Sequence, residues 1–177
     1  VMDSAKLRPL LVVFAGLPGS GKTTVARGLA DDLSATFLRV DTIEAAINST
    51  LSSCERSPVG YVAAQWVAED QLRGGRPVVV DACNNLRVAR EMWKELARRT
   101  AADLRWVKVI CSDSVEHRRR VEERQGDWPG QGDPTWAEVQ AREWEPFVEP
   151  RLLIDNVGPP LAHRAAIRNE LFGLGPE

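Results

Sequence analysis

The octapeptide Gly16-Leu17-Pro18-Gly19-Ser20-Gly21-Lys22-Thr23 is a complete Walker A motif, with a second threonine, Thr24, directly behind it. It stands between an apolar run, residues 10–15, and a helix-like segment, residues 23–33. That placement constrains the fold more than any other feature of the chain. A buried strand that empties into a glycine-rich loop, followed at once by a helix, aims successive backbone N–H groups at one point. The glycines allow positive φ and let the backbone come close to a bound anion. Lys22 adds a charge for the β- and γ-phosphates, and the Thr23 hydroxyl is a ligand type for Mg²⁺. A glycine turn that merely joins strand to helix accounts for Gly16, Gly19 and Gly21 but leaves Lys22 and Thr23 unexplained. The motif therefore predicts a phosphate cradle over residues 16–24.

Apolar strand-like runs at 10–15, 36–40, 77–80, 104–110 and 151–154 alternate with helical segments. Val59, Val62, Ala63, Trp66 and Val67 keep a helical period and predict one buried helix face. Ala89, Met92, Trp93, Leu96 and Ala97 predict another. Gly74-Gly75 is a natural stop for the first of these helices. Five strands alternating with helices argue for a parallel α/β sheet covered on both faces, in one domain spanning 1–177. Ligands of such sheets bind outside the carboxyl ends of the strands. That rule draws Asp41 and Asp81, each at a strand's carboxyl end, toward the phosphate.

Residues 113–145 depart from the pattern. Residues 113–124 look helical yet hold few apolar side chains, mainly Val115 and Val121. They lead into Gln125-Gly-Asp-Trp-Pro-Gly-Gln-Gly-Asp-Pro134, with three glycines and two prolines. Thr135-Trp136-Ala137-Glu138 then matches a capping box that restarts a helix. A polar helix, a turn-rich tip and a returning helix read as a flap over a site, with Trp128 and Trp136 as pins. Core packing is the expectation for most of the six tryptophans, and a surface or packing role for His117 and His163.

Asp41 has two compatible readings. Asp41-x-x-Glu44 resembles a capping box for the next helix, and a carboxylate there also faces the γ-phosphate, where it could accept a proton from a substrate hydroxyl. Asp81 closes Val78-Val79-Val80 in a Walker B-type pattern, and it serves either as a Mg²⁺ ligand or as a cap on the following turn. Asn84 and Asn85 follow as substrate contacts or turn formers. Arg118, Arg119, Arg120 and Arg124 concentrate charge at the flap. They form either a solvated face paired with Glu116, Glu122 and Glu123, or an anion clamp. Arg120 and Arg124 stand four apart, which is repulsive unless an anion lies between them. Arg118 is the next candidate for the nucleotide, and Arg119 faces solvent.

With 23 basic against 25 acidic residues and a net charge of −2, no broad nucleic-acid surface is expected. Cys54, Cys83 and Cys111 form no CxxC pattern, so neither a disulfide framework nor a zinc site is indicated. Free thiols and no recognisable secretory leader fit a cytoplasmic protein, and no apolar stretch is long enough for a bilayer.

Residues 16–24, Val40-Asp41-Thr42-Ile43, Val78-Val79-Val80-Asp81-Ala82 with Asn84, Arg120-Val121-Glu122-Glu123-Arg124 and the stretch 142–146 together resemble the small P-loop kinases often labelled AAA-type ATPases. Zeta toxin, chloramphenicol phosphotransferase, gluconate kinase and polynucleotide kinase belong to that group. The resemblance covers almost the whole chain. It implies a nucleoside-monophosphate-kinase-like α/β fold, strand order 2-3-1-4-5, a helical lid, and ATP- and Mg²⁺-dependent phosphorylation of a hydroxyl. It implies Asp41 as general base and Arg120 and Arg124 as lid arginines. Polynucleotide-kinase-like members often carry Asp-x-x-Arg, the arginine gripping a substrate phosphate, whereas here Glu44 takes that place. The expected acceptor is therefore a small nucleoside, sugar, polyol or cationic antibiotic rather than a nucleic-acid end. A nucleotide-binding switch or slow ATPase acting through a protein partner is the alternative.

Overall fold

The computed structural model describes residues 8–50, 58–128, 132–158 and 164–172. His163 and Cys54, both noted in the sequence, lie outside them. Strand β1 (Leu10–Ala15) is the sheet's centre, and five of its six residues are buried. Such a strand must be covered on both faces, because its alternating side chains are all apolar. Strands β2 (Thr36–Arg39), β3 (Val78–Asp81), β4 (Asp103–Ile110) and β5 (Leu152–Asp155) complete an all-parallel sheet in the order β2-β3-β1-β4-β5. The expected fold class and strand order hold: this is the α/β P-loop NTPase fold.

Helices α1 (Lys22–Asp32) and α7 (Arg164–Phe172) cover one face, over Val12, Phe14, Val79, Val107 and Ile154. Helices α3 (Val59–Arg73) and α4 (Arg87–Thr100) cover the other, over Leu11, Val13, Val78, Val80 and Trp106. Helix α2 (Val40–Thr50) packs on α3 beside the open end of the sheet. Alternate residues of one strand thus feed two separate cores, the period-two rule applied to a fully buried sheet. Among the described residues no helix is long and apolar enough to cross a membrane.

Helix α3 corrects an expectation. Its buried face is Gly60, Ala64, Gln65, Ala68 and Leu72, while Trp66 is 67% exposed and Val59 and Val67 are each 44% exposed. Small residues four apart let the helix backbone approach the sheet and α2 closely, and this outweighs the larger apolar stripe. Trp93 and Trp106 are core residues as expected, but Trp66 and Trp128 face outward, and Trp106 comes from a strand. The glycine stop holds: Gly74 caps α3 and Gly75 takes φ +75°.

The flap begins with α5 (Ser114–Glu122), capped by the Asp113 carboxylate on the Val115 and Glu116 amides. It returns as α6 (Trp136–Gln140), where Thr135 and Glu138 form the expected capping box.

One buried charge was not anticipated. Arg90 of α4 is fully buried; Nη1 donates to the carbonyls of Asn84 and Asn85, and Nη2 to that of Pro146. Its Nε stands 3.3 Å from Glu149, and its guanidinium lies over the Phe147 ring. The side chain ties the exit of β3 to the segment entering β5. Removing one partner of a buried pair leaves the other charge uncompensated. Arg90→Met is therefore expected to cost about 3–5 kcal/mol in urea unfolding, with part recovered in Arg90→Met/Glu149→Gln. A loss below about 1 kcal/mol would show the clamp to be dispensable.

Candidate active site

The Walker A loop hangs on its neighbours. The Gly16 amide donates to the Cys83 carbonyl at 3.1 Å, which fixes the loop to the exit of β3. Gly21 caps α1 at φ +82°, and a Cβ there would sit 2.1 Å from Asn156 Nδ2, so only glycine fits. Helix α1 has no side-chain cap and no acid in its first turn, so its N-terminal amides stay available to an anion. Lys22 is 5% exposed and Ser20 is 1% exposed.

Two residues brace this loop without any signal in the sequence. Asn156, fully buried beyond β5, donates from Nδ2 to the Ser20 carbonyl at 2.9 Å. Its own carbonyl accepts from Arg120 Nη1 at 2.8 Å. His117 of α5 donates through Nε2 to the Pro18 carbonyl at 2.8 Å, and Trp136 stands edge-on to its ring. His117 is thus a packing residue with a specific task. Trp136 joins α6 to α5 through that ring, and Trp128 is 44% exposed.

Two clefts meet at the loop. The smaller, about 550 Å³, lies between Gly19, Gly21, Thr23 and Thr24 on one side and Arg39, Arg120, Arg124 and Asp127 on the other. The larger, about 1360 Å³, is bounded by Lys22, Asp41, Glu44, Tyr61, Asn85 and Arg142 among others. Arg124 lines both.

Asp41 does not cap α2. The helix starts at Val40, directly out of β2, and Asp41 falls inside its first turn. The capping-box reading of Asp41 and Glu44 is therefore set aside. The carboxylate still complements the positive end of the helix while turning to the larger cleft. Asp81 is 1% exposed, and neither of its carboxylate oxygens has a hydrogen-bond partner. A buried carboxylate so placed is costly unless a cation relieves it, and Arg39 Nε, at 3.9 Å, stands too far for a hydrogen bond. The donor set fits Mg²⁺, which is satisfied by one or two protein oxygens and completes its shell with water and phosphate. No cluster of three or more His, Cys, Asp or Glu able to hold a metal occurs among the described residues.

Asn84 is a structural residue. Fully buried at φ +51°, it donates to the Phe14 carbonyl and accepts from Trp93 Nε1. Asn85 lines the larger cleft, its Nδ2 donating to the Glu143 carbonyl.

The arginines separate. Arg118 pairs with Glu122 on the exposed side of α5, and Arg119 with Glu116 and Glu123. Arg120 turns inward, its Nη1 3.7 Å from where a Gly21 Cβ would be. Its repulsion with Arg124 is met without a bound anion: Glu116 neutralises Arg120, while Asp127 and Asp133 neutralise Arg124.

The larger cleft holds one carboxyl in a tight, half-buried place. Glu44 packs its Cγ where a Gly60 Cβ would be, 2.4 Å away. Burial first, and then the charge of Asp41, push its carboxyl above the ordinary value, while Arg142 pulls the other way. Burial likewise raises the Tyr61 phenol, whose oxygen accepts from the Asn84 amide.

Residues 11–144 match the family model described as AAA domain. Among solved structures, APS kinase of Mycobacterium tuberculosis in complex with AMPPNP and APS is 19% identical, with TM-score 0.69, covering 93% of this chain and 98% of that one. A gluconokinase from Sinorhizobium meliloti 1021 is 21% identical, with TM-score 0.62, covering 96% and 99%. Chaetomium thermophilum Kti12 in complex with ADP-AlF3 is 20% identical, with TM-score 0.67, covering 94% and 100%. At such identities the likeness speaks for the fold. No curated protein matches the chain.

The raised carboxyl of Glu44 has a measurable consequence. A folded-state pKa above the unfolded one means that ionisation penalises the native state. The penalty is absent below the unfolded value and develops as pH rises through the folded one. Glu44→Gln is expected to melt higher than the parent at pH 8, the gain vanishing below the ordinary glutamate value of about 4.3. Melting curves across that range check it; equal or lower stability at pH 8 overturns it.

Proposed function

The chain belongs to the AAA domain family, and from that premise we propose that it is an ATP-dependent kinase acting on a hydroxyl of a small molecule. One observation carries the reading. A Walker A cleft and a larger cleft with Lys22 and the Asp41 carboxylate on its wall meet at Arg124. A phosphoryl group crossing that junction leaves a nucleotide on one side and reaches a hydroxyl on the other.

In this reading residues 16–24 hold the triphosphate through backbone amides and Lys22. Thr23 and Asp81 would hold Mg²⁺, which neutralises charge on the β- and γ-phosphates when bound. Asp41 orients the acceptor hydroxyl and takes its proton as the oxygen attacks the γ-phosphorus. The bond from that phosphorus to the bridging oxygen breaks, and ADP carries away the electron pair. Arg120 and Arg124 stabilise charge on the migrating group. Arg118, in its exposed pair with Glu122, joins the nucleotide only through a change of partner. The unit is the whole chain, with 113–145 as its lid.

Acceptors of the class of nucleosides, sugars, polyols and hydroxylated antibiotics fit a cleft whose wall carries Asp41 and Glu44. Those two charges disfavour a phosphorylated nucleic-acid end. The gluconokinase and APS kinase likenesses point the same way, toward small molecules. Free Cys83 and Cys111 suit a reducing cytoplasm. The second reading, a switch or slow ATPase read by a partner protein, draws support from the outward apolar stripe of Val59, Trp66 and Val67 on α3.

Mass spectrometry of wild type and Asp41→Asn with Mg²⁺-ATP and a panel of those acceptors separates the two. One acceptor class should gain a phosphoryl group, with the rate falling about 10²–10⁴-fold in Asp41→Asn while nucleotide still binds. Nucleotide binding with no transfer to any acceptor, and hydrolysis indifferent to Asp41→Asn, would favour the switch.

A further inference from the structure

Arg39 is a buried charge that belongs to neither the Walker A loop nor the flap. β2 ends on it, its side chain is 8% exposed, and its Nε has no hydrogen-bond partner. Nη1 bonds Asp127 of the flap at 2.6 Å. Nη2 lies 3.8 Å from Asp41 and Nε 3.9 Å from Asp81, both too long for hydrogen bonds. Arg124 Nη2 reaches the same Asp127 oxygen at 3.5 Å. One carboxylate oxygen is thus held between two arginines from different elements, on the cleft that Gly19, Gly21 and Thr23 close from below.

Two guanidinium groups converging on one oxygen suit a phosphate better than a single carboxylate, because phosphate offers more charge and more acceptor oxygens. The location says which phosphate. Arg124 lines both clefts, and Arg39 stands between the Walker A cleft and Asp41. The group that lies between the loop and the acceptor carboxylate is the terminal phosphoryl. Asp127 is itself held ionised: the bond from Arg39 keeps its carboxyl below the ordinary range. An anion already fills the place.

We propose that Arg39 and Arg124 form the γ-phosphate subsite, and that Asp127 is an internal stand-in for that phosphate, displaced when a nucleoside triphosphate enters. The inference rests on reading the smaller cleft as the nucleotide site, and its test needs no acceptor. The stand-in satisfies two arginines that would otherwise repel, and it must be outcompeted by the ligand. Substitutions on the two sides of the pair therefore act with opposite sign.

Calorimetric titration of wild type, Arg39→Gln and Asp127→Asn with Mg²⁺-AMPPNP and with Mg²⁺-ADP tests it. Arg39→Gln should weaken AMPPNP by about tenfold or more, the loss of one charge-assisted contact, and ADP by less than about twofold. Asp127→Asn should tighten AMPPNP about threefold or more and leave ADP unchanged. Equal losses for both nucleotides in Arg39→Gln would reduce Arg39 to a support of the loop and overturn the subsite. Unchanged or weaker AMPPNP binding in Asp127→Asn would overturn the stand-in. Should Arg39→Gln fail to fold, Asp127→Asn and Arg39→Lys, which keeps the charge but loses the planar fork, carry the test. The outcome is independent of the kinase reading. Opposite-signed AMPPNP effects without transfer to any acceptor would retain the subsite and reject the kinase, and transfer with no AMPPNP-against-ADP effect would do the reverse.

Discussion

Everything in this site depends on holding one short stretch of backbone in a shape it would not keep alone. Within residues 16–21 Pro18 has no N–H and the Gly16 amide is spent on Cys83, so the bond from the Ser20 amide to Leu17 is left to stabilise the loop from inside. The structure supplies the support from outside. The Cys83 carbonyl holds the entry, His117 holds the Pro18 carbonyl, and Asn156 holds the Ser20 carbonyl. The first support uses the Gly16 amide, whereas the other two act on carbonyls and so spare the loop's N–H groups. The three supports come from β3's exit, the flap and β5's exit, so the loop's shape depends on assembly of the whole sheet.

The charges follow a related logic. The cleft region gathers arginines at 39, 120 and 124, and gives each a carboxylate from its own surroundings. These pairs are partly buried and lie close together, so removing one charge changes the balance for several neighbours. Asp81 is the exception, with no hydrogen bond to either oxygen. An apolar strand ending on so poorly compensated an acid is stable only because the central sheet provides the burial energy elsewhere.

Much of the fold was legible in the sequence, because it rests on short-range patterns. Val78-Val79-Val80 and the run at 10–15 are apolar on both faces, which only a central strand of a covered sheet requires. The loop, the α6 capping box and the glycine stop after α3 are local in the same way. The face of α3 was misread because spacing identifies a stripe, while close packing through Gly60, Ala64 and Ala68 decides which stripe is buried. Arg39, Arg90 and Asn156 gave no signal. Each has a partner distant along the chain: Asp127 for Arg39, Pro146 for Arg90, and Ser20, 136 positions away, for Asn156. A polar residue satisfied only by folding looks like any surface residue beforehand. Asp41 was legible as a carboxylate just past a strand, but its place inside the first turn of α2 depends on the helix starting without a connecting loop.

The anchoring of α5 divides the flap in a way its sequence conceals. His117 and Val121 are buried against the Walker A loop, and Arg120 is bound to the backbone beyond β5. The first helix of the flap is therefore tied to the Walker A loop on one side and to the exit of β5 on the other. Arg120 is held by backbone carbonyls of that exit, at Asn156 and Gly158. Arg124, past the end of the helix, is held among the described residues by side chains, those of Asp127 and Asp133. The two arginines, one turn apart in sequence, thus separate a backbone-anchored charge from a side-chain-anchored one at the end of a single helix.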